Sequence, residues 1–157
     1  MIFKGEYVNG KKWKGNGKEY NYKGILIFKG EYLNGHKWKG NGKEYYYNGN
    51  LKFEGEYLNG KWNGKGKEYN YNGNLKLKGE YLNGKWNGKG KEYNYNGILI
   101  FEGEYINEEK NGKGKEYNYK GKLIFKGEYL NGKKWNGKGY NLFGSIIFEI
   151  KNGIVKK

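Results

Sequence analysis

The chain contains no cysteine, proline, arginine, aspartate, alanine, threonine or glutamine, and only one serine, Ser145. Without cysteine there is neither a disulfide framework nor a thiolate nucleophile, so the fold makes no demand for an oxidising compartment. Without arginine the chain lacks the side chain that most often reads guanine, which weighs against sequence-specific DNA recognition. No apolar run approaches the ~20 residues needed to span a bilayer. Met1 and Ile2 lead straight into the repeated pattern, with no basic and apolar leader of the secretory kind. A cytoplasmic location, at most peripheral to a membrane, is therefore expected.

In place of the missing residues stand 30 glycines, 18 tyrosines and 31 lysines against 16 glutamates, for a formal net charge of +15. That excess makes an acidic partner plausible, whether nucleic acid, an anionic membrane surface or an acidic protein. A/T-rich codons would also raise Lys, Asn, Ile and Tyr together. High charge and low hydropathy can signal disorder. Aromatics at 19%, regularly placed, argue against it.

The regularity is a repeat. Phe53 to Lys76, FEGEYLNGKWNGKGKEYNYNGNLK, recurs along nearly the whole chain. Its copies span 3–27, 28–52, 53–76, 77–100, 101–124 and 125–147, and a degenerate half-copy, 148–157, follows. A period of this size marks a solenoid or array, in which each unit leans on its neighbours to bury a core. A single repeat domain over 1–157 is expected.

Each repeat reads as two strands and two turns. In the third copy Leu51, Phe53, Gly55 and Tyr57 alternate with Lys52, Glu54 and Glu56, the period of a strand. Asn59-Gly60 then supplies the two left-handed residues of a type I′ hairpin turn. Trp62 to Tyr71 forms the return strand, and Asn72-Gly73 turns the chain again. The expected fold is all-β: a single-layer antiparallel meander of about 12–14 short strands, with the faces protected by aromatic and ion-pair ladders. Gly55 sits mid-strand, where glycine is unfavourable, which predicts an aromatic ring lying over bare backbone. The paired Gly64 and Gly66 predict a bend or bulge.

The departures from the pattern are informative. Repeat five has Glu108-Glu109-Lys110 where a tryptophan is due. Repeat six loses its Lys-Glu pair, so Gly139 runs directly into Tyr140. The last segment turns apolar, with Ile146, Ile147, Phe148, Ile150 and Val155, and Ile150 takes the place of the strand glycine. It reads as a C-terminal cap.

The block Gly-Glu-Tyr-x-Asn-Gly (Gly55 to Gly60) followed by Gly-x-Gly (Gly64, Gly66) resembles the MORN repeat, six times over. The next aromatic, Tyr69, comes three residues after Gly66 rather than two, a spacing similar to the MORN-variant repeats of bacterial antitoxin-like proteins. The resemblance implies a non-catalytic β-hairpin scaffold used for protein contacts. It also raises two alternatives: peripheral binding of anionic phospholipid, and toxin neutralisation as an antitoxin or immunity protein.

Motifs that could carry chemistry have plainer readings. Gly64 to Tyr69 looks like a phosphate loop but lacks its Gly-Lys-Ser/Thr ending. Glu54 and Glu56 lie two apart as paired carboxylates would, yet they recur beside lysines, which predicts a cross-strand ion ladder. His36 stands alone in a turn, with no second ligand for a metal and no triad partner. No catalytic residue, cofactor or metal is assigned, and no enzymatic activity is expected.

The partner-binding candidates are Trp13, Trp38, Trp62, Trp86 and Trp135. Stacking of repeats would align them in one row about 9–10 Å apart. Such a row could pack on neighbouring glycines or offer exposed anchors to a protein. Interleaved with Lys65, Lys67, Lys89 and Lys91 it could also stack single-stranded bases, although nucleic acid is the less favoured partner. The first strand, residues 1–8, carries little to block edge pairing. With Phe3, Gly5 and Tyr7 along it, it is a candidate for antiparallel self-association into a homodimer, Lys4 of one chain approaching Glu6 of the other. The opposite end is expected to be blocked by the apolar cap.

Overall fold

The computed structural model describes residues 2–156, apart from the side chains of Ile2, Phe3 and Lys12. All regular structure among them is β, a 14-stranded antiparallel meander in which strand order follows chain order. The chain divides into two compact units, Met1–Gly73 with Tyr81–Lys85, and Asn74–Glu80 with Trp86–Lys157. The first holds β1 (Ile2–Val8), β2 (Lys11–Tyr20), β3 (Leu26–Leu33), β4 (His36–Tyr45), β5 (Leu51–Leu58) and β6 (Lys61–Tyr69). Strands β7 (Leu75–Leu82) and β8 (Lys85–Tyr93) belong partly to each unit. The second unit continues with β9 (Leu99–Ile106), β10 (Glu109–Tyr117), β11 (Leu123–Leu130), β12 (Lys133–Tyr140), β13 (Ile146–Lys151) and β14 (Ile154–Lys156).

The hairpin turns are as the Asn-Gly pairs require: Asn59 and Gly60 have φ of 52° and 73°, the two left-handed residues of type I′. In repeat five Glu108 holds the second place at φ 72°. The turns between repeats differ from the two-residue Asn72-Gly73 turn expected. Strand β6 ends at Tyr69 rather than Tyr71, and Asn70 accepts from the Gly73 amide at 2.9 Å. At the matching place the Asn94 side-chain oxygen accepts from the Asn96 and Ile98 amides, both at 3.0 Å. An asparagine that folds the backbone onto its own side chain leaves the ladder early, and the turn spans five residues.

The aromatic face forms the core of each unit. In the first, Phe28, Tyr32, Phe53, Tyr57 and Tyr81 are buried. Phe28 meets Tyr32 and Tyr57 edge-on at 5.4 and 5.8 Å, and Phe53 meets Tyr57 and Tyr81 edge-on at 5.9 and 5.4 Å. Each phenylalanine thus bridges the tyrosine of its own repeat and that of the next, in the arrangement that ring quadrupoles favour. The second unit repeats this with Phe101, Tyr105, Phe125 and Tyr129, closed by Ile150.

Bulges bend the strands of these hairpins, and rings lie over bare backbone as the mid-strand glycines predict. A Cβ added at Gly66 would meet the Phe53 ring at 2.7 Å and the Tyr81 ring at 3.1 Å. The cap works in the same way: Phe148 lies over Gly139, and Ile150 is buried opposite Gly137. Not all of the cap's apolar residues are covered: Ile146, Ile147, Ile154 and Val155 are all at least half exposed. The cap residues that reach the core are Phe148 and Ile150, two apart on one face of β13.

Two hairpin registers occur. In β1–β2, β3–β4 and β11–β12 two residues separate the turn glycine from the tryptophan, and Trp13, Trp38 and Trp135 are bulged out of register, unpaired with the partner strand. In β5–β6 only Lys61 intervenes, so Trp62 itself pairs with Tyr57, and residues 63–65 together face Glu56. Hairpin β9–β10 matches it, with Lys110 paired to Tyr105.

Candidate functional site

The position opposite the core tyrosine is a slot over the phenylalanine ring. In β5–β6 it holds Trp62, stacked on Phe53 at 4.0 Å with the rings 5° from parallel. The Trp62 indole N–H donates to Glu44 at 2.9 Å, and the Tyr57 hydroxyl donates to the same carboxylate at 2.8 Å. Where tryptophan is absent from the slot, lysine takes over. The Nζ atoms of Lys37, Lys110 and Lys134 lie 5.2, 4.2 and 4.7 Å from the ring centroids of Phe28, Phe101 and Phe125. They also sit 3.3, 3.5 and 3.0 Å from Glu19, Glu92 and Glu116. A cation can replace an aromatic here because the ring face is negative and the carboxylate takes either donor.

The tryptophans therefore do not form the single row expected. Trp62 and Trp86 are half-buried on the aromatic face, Trp86 meeting Tyr105 edge-on at 5.7 Å. Trp13, Trp38 and Trp135 are bulged and exposed at 42%, 37% and 37%. One residue inserted before the tryptophan moves it out of the slot and brings lysine in. In β3–β4 the exchange coincides with an open depression of about 370 Å³ lined by Glu19, Tyr32, His36 and Lys37.

Nor do the lysines interleave with those rings. Lys67 and Lys91 lie on the opposite face, where they bind Glu54 at 2.8 Å and Glu102 at 3.4 Å. Lys65 and Lys89 are exposed. The ion ladder expected of Glu54 is present, since Lys43 adds a second contact at 3.6 Å and the Tyr69 hydroxyl donates at 3.0 Å. Glu102 is held likewise by Lys91, Lys115 and Tyr117. Glutamates in the place of Glu56 do something else: Glu80 and Glu104 accept from the backbone N–H of Lys89 and Lys113, tying down the looped-out segment.

These contacts set the titration behaviour. Hydrogen bonds from Lys115 and Tyr117 pull Glu102 down to about 2, and the bond from Lys67 lowers Glu54 in the same way. Burial, then the neighbouring carboxylate, pushes the hydroxyls of Tyr32, Tyr57, Tyr105 and Tyr129 well above the usual tyrosine range. Among the described residues no three His, Asp, Glu or Cys side chains come together as a metal site.

A recurring set of exposed aromatics was not singled out as a binding candidate from the sequence. Tyr22, Tyr47 and Tyr71 in the first unit, and Tyr95 and Tyr119 in the second, stand at the same place in successive between-repeat turns, 55% to 106% exposed. Leu142 holds that place in the last turn, beside Phe143. The turns are fastened to one another: the side-chain amides of Asn48 and Asn50 donate to the Tyr71 carbonyl at 3.0 and 3.1 Å, and that of Asn74 to the Tyr95 carbonyl at 3.0 Å. The signal was legible, because a turn does not require tyrosine and yet it recurs there.

On the first strand, Gly5 pairs with Gly15, and Tyr7 is about half exposed. The side chain of Phe3 lies outside the described residues. No protein-family model matches the chain, and no curated protein matches it.

Proposed function

We propose that this chain is a non-enzymatic, MORN-like repeat scaffold that binds another protein through the tyrosine-bearing edge of its between-repeat turns. The observation that carries this reading is the exposure of Tyr22, Tyr47, Tyr71, Tyr95 and Tyr119 on turns braced by asparagine side chains. Tyrosine offers a large contact area with little side-chain entropy to lose, which is why binding surfaces favour it. None of the six turns carries an acidic residue, and Lys23, Lys120 and Lys122 flank the rings, so the edge also attracts negative charge.

A photo-crosslinking residue placed at Tyr47 or Tyr119, and at Trp38 as an exposed site away from these turns, tests the reading in cells of the source. A discrete protein adduct at the two turn sites, absent at Trp38 and competed away by unlabelled protein, is the expected result. Adducts only to lipid, or equal adducts at all three sites, would overturn it.

A further inference from the structure

The face opposite the aromatic core carries a ladder of charges, one rung per strand, and in the second unit the ladder is incomplete. Its rungs run Lys91, Glu102, Lys115, Lys126, Lys138, Glu149 and Lys156, each directly opposite the next in register. Around Glu102 the pattern is satisfied, with lysines on both sides at 3.4 and 2.9 Å. Glu149 likewise meets Lys138 at 3.3 Å. Between these pairs Lys126 stands in the place that Glu102 occupies one repeat earlier, directly opposite Lys115 on one side and Lys138 on the other. It is exposed, and among the described residues it has no ion-pair partner.

Like charges directly opposite in a sheet destabilise it, and adjacent strands are only about 4.8 Å apart. Three ammonium groups are consecutive here, and although Lys115 and Lys138 each hold a glutamate on their far side, neither glutamate lies opposite Lys126. In the first unit Lys29 faces Lys18 in the same way.

We propose that Lys115, Lys126 and Lys138 form a docking site for carboxylates of an acidic, glutamate- or aspartate-rich segment of a partner protein. The choice of carboxylate follows from the ladder itself. Where this rung is filled internally, at Glu54 and Glu102, the filling group is a carboxylate held by two lysines and a tyrosine hydroxyl. At Lys126 the equivalent carboxylate has to come from outside. Chain charge agrees, since 31 lysines face 16 glutamates. The inference rests on the reading of a protein partner above, but the two fail separately: crosslinking at the turns reports on that reading, and titration with a defined peptide reports on this one.

The test titrates the whole chain with a fluorescent oligoglutamate peptide, with oligothymidylate and phosphatidylserine vesicles as comparison ligands. The substitution Lys126→Glu completes the ladder. It is expected to lower peptide affinity at least about tenfold, whereas the equal charge change Lys133→Glu, on an exposed turn-proximal residue, lowers it less than about twofold. Completing the ladder should also raise Tm by about 2–4 °C at low salt, because two repulsive rungs become attractive. Lys126→Gln, which removes the repulsion without adding a charge, should fall between in both measurements and guards against a folding defect in the first variant. Equal losses for Lys126→Glu and Lys133→Glu, no peptide binding by the native chain, or Lys126-dependent binding of oligothymidylate or vesicles in preference to the peptide would each overturn the proposal.

Discussion

Hairpins β3–β4 and β5–β6 share nearly the same residues and lie in the same unit, yet they bury different things. In β5–β6 Trp62 lies flat on Phe53. In β3–β4 the extra residue leaves Trp38 bulged and exposed, and Lys37 covers Phe28 from 5.2 Å. The second unit repeats the contrast, Lys110 pairing with Tyr105 without a bulged tryptophan and Lys134 pairing with Tyr129 beside the bulged Trp135. A one-residue insertion in a strand ordinarily sends every later side chain to the wrong face. Here a bulge keeps the faces in step, but the pairing beyond it differs by two residues: Gly30 meets Gly40 and Phe28 meets Gly42, whereas Gly55 meets Gly66 and Phe53 meets Glu68. What changes is which side chain occupies the slot and, by an even number of residues that preserves each side chain's face, which residues pair beyond it.

The largest effect should not distinguish the two kinds. Both bury a tyrosine hydroxyl against a glutamate, and in the fold these hydroxyls ionise well above the ~10 of the unfolded chain. A folded-state pKa raised in this way gives stability that is complete below pH about 10 and is lost as pH rises beyond it. Tyr32, Tyr57, Tyr105 and Tyr129 act together. Cooperative alkaline unfolding is expected, with these tyrosines gaining phenolate absorbance only as circular dichroism is lost. Phenolate appearing in full before the fold melts would contradict it.

Next in size, Phe53→Ala should cost about 3–5 kcal/mol. Phe28→Ala should cost about 0.5–1.5 kcal/mol less, the worth of the aromatic stack that Phe28 lacks. Urea unfolding of both variants measures the gap, and equal costs would mean that Lys37 covers Phe28 as well as Trp62 covers Phe53.

The tryptophans themselves should separate clearly in size. Trp62→Ala is expected to cost about 2–3 kcal/mol, less than a fully buried ring, and Trp38→Ala to stay within about 0.5 kcal/mol. A smaller gain, about 1 kcal/mol, is expected from Glu108→Gly, which relieves a left-handed residue that has a Cβ. Thermal melts decide both.

The sharpest version of the comparison should change stability little. Deleting His36 leaves Gly35-Lys37-Trp38-Lys39-Gly40, the spacing of Gly60-Lys61-Trp62-Asn63-Gly64. Trp38 should then enter the slot over Phe28, shift its emission to the blue and resist iodide quenching. A Trp38 that stays fully quenchable would show that spacing alone does not set the register.

The strands and hairpin turns were legible because alternation and Asn-Gly are local signals: Leu51 to Leu58 was expected as a strand and is one. The cover over the mid-strand glycines was legible too, since a glycine in a strand asks for a neighbour. The fate of the tryptophans was not. Trp38 and Trp62 sit in almost identical local sequence, and the one residue inserted before Trp38 acts through cross-strand register, which a single strand does not display. The turn tyrosines were missed for the opposite reason: turn residues are read for backbone conformation, and a side chain with no conformational duty is overlooked. Among the partner-binding candidates, Lys67 and Lys91 proved to be engaged with glutamates, whereas Lys126 drew no attention until its neighbours on both sides were known.

Ile150 has a consequence for how such an array can change in length. Every earlier rung at its place is a glycine, and those glycines meet another backbone so closely that a Cβ added at Gly103 would lie 2.8 Å from the Gly114 Cα. Ile150 pairs instead with Val155 and closes the core with its side chain. It acts as punctuation: a further copy of the repeat can be spliced in ahead of Phe148, where both neighbours offer bare backbone, but none can be stacked in the same manner directly onto Ile150. Duplication within this array is therefore tolerated in the interior and refused at that strand.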